Sequence, residues 1–215
     1  MVVAIDGPSG SGKGTIAKLL SERLNLVNID TGATYRCIAL KMLQDNIDIK
    51  DEEKIIEISK NLDMKFLNHK VYLEGNDVTK EIRSKEVTSI VSPVSSIIEV
   101  RENMVELQRK MANSNDVVLE GRDITTVVLP NADFKFYLDA TLEERVNRRM
   151  KQNKELGIDM SYDEVKKSIS GRDYNDMNKP VGALKRTDEQ IYIDTTNMNI
   201  EEILDKIINI IKGEN

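Results

Sequence analysis

The chain has 215 residues, with 31 Lys and Arg against 37 Asp and Glu, which gives a formal net charge of −6. That sign argues against a protein whose main task is to coat a nucleic-acid backbone, because neutralising phosphates needs a basic face. Hydrophobic residues make up 40%, no apolar run approaches the roughly 18 residues of a membrane span, and a single Cys37 and a single His69 exclude a disulfide framework or a Cys/His zinc site.

The first expected element is a strand at residues 2–5, since the opening apolar run stops at Asp6 with no basic segment or small-residue cleavage site. Further runs rich in Val and Ile fall at 26–29, 117–119, 134–138 and 190–193. They are mostly continuous rather than alternating, the pattern of strands buried on both faces of a parallel sheet. Helical periodicity is expected at 14–24, 33–45, about 96–111 and 142–153. In the tail, Ile203, Leu204, Ile207, Ile208 and Ile211 line one face of a helix at 200–212. Strands alternating with helices predict an α/β fold with an open parallel sheet of five strands.

Two stretches interrupt the alternation. Residues 62–78 read as a small inserted β element, with a hairpin turn at 68–70 and a second turn at 74–77, followed by helices. Residues 151–185 are polar and charged, with Gly157, Gly171 and Gly182 as hinge candidates, and form either a segment that closes over a ligand or a solvated helical arm. Just before them, Thr141 with Glu144 three positions on predicts a capping box. Arg145, Arg148 and Arg149 then fall at i, i+3 and i+4, on one helical face. Pro8, Pro93, Pro130 and Pro180 are all expected at element boundaries.

The strongest signal is Gly7-Pro8-Ser9-Gly10-Ser11-Gly12-Lys13-Gly14-Thr15. It follows the first strand and opens the first helix. The glycines let backbone N–H groups curl around an anion, the helix N-terminus adds a positive dipole end, and Lys13 brings a point charge to the outer phosphates. The residue after Lys13 is Gly14, where the general pattern has Ser or Thr, and the hydroxyl comes at Thr15. No direct metal ligand is therefore assigned. Magnesium is expected on the nucleotide phosphates and water, with Thr15 and Glu120 reaching it through water.

In an open α/β sheet ligands sit beyond the carboxyl ends of the strands, and this edge is expected to gather Asp30, Arg36, Glu120, Arg122 and Asp123. Arg36 and Arg122 can each grip a phosphate oxygen pair. Alternatives stay open: Asp30 or Thr31 as a helix cap, Arg122 paired with Asp123 or Glu120, Arg172 paired with Asp176 one turn along a helix, Ser92 in a loop before Pro93, and Arg101 as an exposed helical arginine.

The Gly-Lys-Gly-Thr variant is similar to that of nucleoside monophosphate kinases. Asp30-Thr31-Gly32-Ala33-Thr34-Tyr35-Arg36, Glu120-Gly121-Arg122-Asp123, Arg172-Asp173-x-x-Asp176 and Asp194-Thr195-Thr196 together resemble the bacterial cytidylate kinase family over nearly the whole chain. The single cysteine fits a reducing cytosol, and with no sign of a dedicated apolar interface a cytoplasmic monomer is expected. The resemblance implies one kinase unit, with a core at 1–61, 112–140 and 186–215, an acceptor-nucleotide insert at 62–111 and a lid at 141–185. It also implies transfer of a phosphoryl group from magnesium ATP to CMP and dCMP, with no nucleic acid or membrane as partner. The loop residues 7–15 would bind ATP. Thr31, Arg36, Ser92, Arg101, Arg122, Asp123, Arg172 and Asp176 would bind CMP, and Lys13, Arg36, Arg122, Arg145 and Arg149 would serve the transfer. Where the family pattern has Arg and Ser, this chain has Lys179 and Met177.

Overall fold

A computed structural model describes residues 1–67, 69–113, 116–155 and 157–214. The chain divides into two compact units, residues 1–26 with 118–215 and residues 27–117. The expected strands form at β1 (Val2–Asp6), β2 (Val27–Asp30), β6 (Val117–Gly121), β7 (Phe134–Asp139) and β8 (Ile191–Asp194). They make a five-stranded sheet of order β2-β6-β1-β7-β8. β7 runs parallel to both β1 and β8, with Val3 opposite Phe134 and Phe136 opposite Ile191. β1 is thus the central strand, and the chain leaves its carboxyl end at the position where such sheets hold ligands.

In the first unit, α1 (Lys13–Leu24) and α8 (Ile200–Lys212) cover the sheet. Ile16 and Leu20 of α1 and Ile203, Leu204, Ile207 and Ile208 of α8 pack with Val3, Ile5, Phe136, Leu138 and Ile193 in one cluster. Each buried aliphatic side chain contributes about 1.5–3 kcal/mol, so the four from α8 dock that helix firmly. α6 (Leu142–Glu155) and α7 (Tyr162–Met177) pack on each other through Val146, Val165 and Ile169.

The second unit holds α2 (Thr31–Gln44), α3 (Glu52–Lys60), α4 (Lys85–Val94), α5 (Ile98–Asn113) and a three-stranded antiparallel sheet of β3 (Met64–Leu67), β4 (Lys70–Leu73) and β5 (Asn76–Asp77). Met64 pairs with Leu73 and Leu67 with Lys70, as the hairpin pattern predicts, although Asn68 of the expected turn lies outside the described residues. The second turn is made by Glu74 and Gly75, both at positive φ, which suits a tight hairpin. Cys37 and Leu40 pack on Met64, Val71 and Leu73, while Ile38 and Met42 pack on Ile55, Val94, Val100 and Met104.

Several local expectations are corrected. Pro93 lies inside the last turn of α4, not at a boundary, and Ser92 is therefore helical rather than in a loop. Burial of Val87 and Val94 holds that turn against the hydrogen bond that proline cannot donate. Thr141 does cap α6, accepting from Glu144 N at 3.3 Å. The reciprocal half of the box is replaced, because the Glu144 carboxylate takes Arg148 Nε at 2.9 Å and Thr141 N donates to Thr196 Oγ1 at 3.0 Å.

Of the three glycines expected as hinges, Gly157 and Gly182 have positive φ, but Gly171 lies within α7. A Cβ at 171 would meet no heavy atom within 4 Å. Glycine costs a helix interior about 0.5–1 kcal/mol relative to alanine. Gly171→Ala should therefore raise the thermal midpoint by roughly 1–4 °C, and a lowered midpoint in calorimetry would contradict a continuous α7.

Candidate active site

The phosphate loop leaves β1 under a hard steric limit. A Cβ at Gly7 would fall 2.0 Å from the Leu138 carbonyl oxygen, so β7 leaves room only for hydrogen there. At Gly10, φ is +81° and a Cβ would come within 3.1 Å of Arg145 of α6, which leaves the loop little slack on that side. Gly12 stands at the cap position of α1 and brings no capping side chain. The first-turn N–H groups and the helix dipole are thus arranged for an external anion.

Lys13 is buried, and its Nζ donates to the Pro8 carbonyl at 2.8 Å and to Ser11 Oγ at 3.4 Å. Burial, with the positive charges of Arg122 and Arg172, outweighs the carboxylates of Glu120 and Asp6 and lowers its pKa to about 7. Glu120 lies beside the loop, with Oε1 3.5 Å from where a Gly14 Cβ would stand. Asp6, which sequence reasoning took only as the end of a strand, is fully buried. It accepts Ile124 N at 2.8 Å, Thr125 N at 2.9 Å and Thr125 Oγ1 at 2.6 Å. These bonds hold the π-helical turn Ile124–Val128 directly after Arg122 and Asp123. Burial pushes the Asp6 pKa up despite them.

Arg122 pairs with an acid that neither sequence alternative named. Its Nε donates to Asp176 Oδ2 at 2.7 Å, and Lys179 Nζ reaches Asp176 Oδ1 at 3.4 Å. Burial opposes the charge on Asp176, but Arg122, Lys179 and Arg172 together hold its pKa below the usual range. The carboxylate expected to pair with Arg172 one turn along the helix thus also serves Arg122 and Lys179. Asp123 is buried, and its carbonyl accepts Val127 N at 2.9 Å and Val128 N at 3.1 Å.

The arginine face of α6 turns inward. Arg145 is buried and donates from Nε to the Ala140 carbonyl at 3.0 Å and from Nη1 to the Ser9 carbonyl at 2.9 Å, with Asp173 as its ion-pair partner. Arg148 donates to the Ser11 carbonyl at 3.4 Å and to the Thr195 carbonyl at 2.6 Å. Both side chains thus hold carbonyls of the loop rather than standing free on an open face, and Arg149 is half-buried beside them. Helical spacing predicts the shared face, but the orientation depends on where α6 packs.

The residues of the second unit form a separate set. Thr31 is buried at the start of α2, where Asp30 caps the helix by accepting Ala33 N at 3.1 Å and also pairs with Arg83 at 2.9 Å. Arg36 Nη1 donates to the Ile82 carbonyl at 3.0 Å and to Thr88 Oγ1 at 2.9 Å. Arg101 is buried, with its guanidinium 5.9 Å from the Tyr35 ring centre, so the exposed alternative is wrong. Ser92 is exposed, and its carbonyl accepts the hydroxyls of Ser95 and Ser96.

Among the described residues no group of three or more His, Cys, Asp or Glu side chains is built to hold a metal ion. One hydroxyl at Thr15 and one carboxylate at Glu120 near the loop fit magnesium, which keeps most of its coordination in phosphate and water.

The Lys13 environment has a measurable consequence. A pKa of about 7 leaves Lys13 mostly neutral at about pH 8, and arriving phosphates should restore the charge. Binding of a non-hydrolysable ATP analogue at that pH should take up about 0.9 of a proton more than Lys13→Met does, and the difference should shrink towards about pH 6. Calorimetry in buffers of different ionisation enthalpy reads this directly. Equal uptake by the two proteins would contradict it.

The family model described as cytidylate kinase matches residues 3–213. Curated relatives named cytidylate kinase include that of Alkaliphilus oremlandii, 47% identical over 98% of this chain and 97% of its own length. Those of Fusobacterium nucleatum and Clostridioides difficile are 47% and 43% identical, covering 96% and 97% of this chain and 95% and 97% of their own lengths. Among solved structures, an uncharacterised protein from Eubacterium ventriosum covers 100% of this chain and 99% of its own, with a TM-score of 0.55 at 14% identity. Shikimate kinase from Bacteroides thetaiotaomicron covers 99% and 98%, with a TM-score of 0.51 at 12% identity, a likeness of fold alone. With a lysine-bearing phosphate loop at the head of its central strand and these relatives along its full length, the chain belongs to the cytidylate kinase family.

Proposed function

We propose that this protein transfers the γ-phosphoryl group of ATP to CMP, and also to dCMP, giving ADP and the nucleoside diphosphate. The observation that carries this reading is the phosphate loop with its buried Lys13, in a chain matched by the cytidylate kinase family from residue 3 to residue 213. Small nucleotides as the only partners, a monomer and a cytoplasmic setting go with it. In support, the net charge is −6, and no helix among the described residues is long and apolar enough to cross a membrane.

No protein nucleophile is required. An oxygen of the CMP phosphate attacks the γ-phosphorus directly, the bond from that phosphorus to the β-bridging oxygen breaks, and ADP leaves with the electron pair. Catalysis is then alignment plus stabilisation of spread negative charge. Residues 7–15 hold the ATP phosphates through backbone N–H groups, and Lys13 places its charge at the transferring group. Thr15 and Glu120 would hold magnesium through water, and the ion would supply charge neutralisation on the phosphates. Arg149 is assigned to the transferring group, while Arg145 lends its charge from behind the loop that it holds.

For the acceptor we assign Arg36 and Arg122 to the CMP phosphate, Thr31, Arg172 and Asp176 to the sugar and phosphate, and Ser92, Arg101 and Asp123 to the base. Segment 62–111 is assigned to the acceptor nucleotide, and 141–185 to a lid that excludes water during transfer. Lys179 in place of arginine removes a bidentate fork, and its contact with Asp176 supports a role in holding that carboxylate.

Base choice follows from donor and acceptor chemistry. Cytosine offers an amino donor at N4 and acceptors at N3 and O2, whereas uracil reverses the first two. A carboxylate at Asp123 only accepts and Arg101 only donates, so both suit cytosine. Incubation with ATP and each of CMP, dCMP, UMP and AMP should give diphosphate chiefly from CMP and dCMP. Asp123→Asn should shrink the CMP-over-UMP ratio of kcat/KM by at least about tenfold, worth roughly 1.4 kcal/mol. An unchanged ratio in the folded variant would remove Asp123 from base recognition.

A further inference from the structure

Asp173 lies on the buried face of α7, where Val165, Ile169 and Asp173 follow one another at four-residue steps. A carboxylate that continues an apolar stripe is costly unless each of its oxygens is engaged. Here both are. Oδ1 accepts the main-chain N–H of Ser9 at 3.1 Å, 164 residues away in sequence, and Oδ2 accepts Arg145 Nη1. The same Arg145 nitrogen donates to the Ser9 carbonyl at 2.9 Å, and Arg145 Nε is fixed on the Ala140 carbonyl. Both main-chain polar groups of Ser9 are thus held by one carboxylate–guanidinium pair, while Gly10 lies tight against the Arg145 backbone.

We propose that Asp173, acting with Arg145, is a positioning residue that sets the phosphate loop for its triphosphate ligand. The peptide planes on either side of Ser9 orient the N–H groups that follow, and a loop fixed before binding loses less freedom when the anion arrives. A lone carboxylate here would repel phosphates. Its pairing with Arg145 cancels that repulsion and leaves the Ser9 contact. The part of this inference that concerns ATP rests on the function proposed above, whereas the part that concerns Ser9 does not.

The test uses Asp173→Ala and Asp173→Asn in the full chain. Both remove the carboxylate–guanidinium pair and should lower the thermal midpoint alike, but only Asn keeps an oxygen that can accept Ser9 N–H. In ligand-free protein, amide exchange at Ser9 should quicken at least about tenfold in the Ala variant while Ile5 in β1 is unaffected, and Asn should stay within about threefold of the native rate. KM for ATP should rise at least about tenfold in the Ala variant with KM for CMP within about threefold, and Asn should recover most of the loss. Ser9 exchange and KM for ATP near native values in a folded Ala variant would overturn the proposal. So would an Asn variant as impaired at Ser9 as the Ala variant, and if Ala does not fold, Ser9 exchange in Asn more than about tenfold above native does the same. Failure of the native protein to phosphorylate CMP would sink the proposed function and leave the Ser9 measurement standing.

Discussion

An anion cradle at the end of a buried strand needs positive charge where water is scarce, and buried positive charge is itself costly. The first unit meets that constraint by setting carboxylates behind the cradle. Asp6 and Glu120 favour the charged form of Lys13 against burial, Asp176 balances Arg122 and Lys179, and Asp173 balances Arg145. Three of these acids also fix geometry. Asp6 ties the end of β1 to the turn after Asp123, Asp176 anchors Arg122, and Asp173 reaches Ser9 in the loop itself. The loop, the turn after β6 and the face of α7 are therefore joined by charge as well as by packing, within one compact unit.

Much of this was legible in the sequence. Continuous Val and Ile runs marked the five sheet strands, the tail heptad-like pattern marked α8, and glycines with one lysine marked the loop. The places where sequence reading failed share a cause, since they depend on what lies across space. Pro93 sits in a helix because Val87 and Val94 are buried around it. Half of the capping box is missing because the Glu144 carboxylate takes Arg148 and the Thr141 amide takes Thr196. Arg145 reads as one of three arginines on a helical face that serves the transfer, and only the packing of α6 against Gly10 shows it holding a carbonyl of the loop.

Asp6 and Asp173 carried a weaker signal that sequence reading passed over. One is an acid closing an apolar strand immediately before the loop glycine, and the other an acid in register with Val165 and Ile169. Buried acids in such positions need partners, and local periodicity says only that a partner must exist, not which residue supplies it. Fold likeness adds nothing on that point, because structures 12–14% identical to this chain show the fold alone. Identity of 43–47% along the whole chain is what joins the loop to a particular chemistry.

We propose that the buried Lys13 is there for the charge that gathers on a phosphoryl group in transfer. Steady-state turnover of Lys13→Met with saturating ATP and CMP tests it most directly, with the thermal midpoint measured in parallel. The kcat of Lys13→Met should fall by at least about a hundredfold, the scale on which one preorganised donor acts, while the protein stays folded. Near-native turnover in a folded Lys13→Met protein would contradict it.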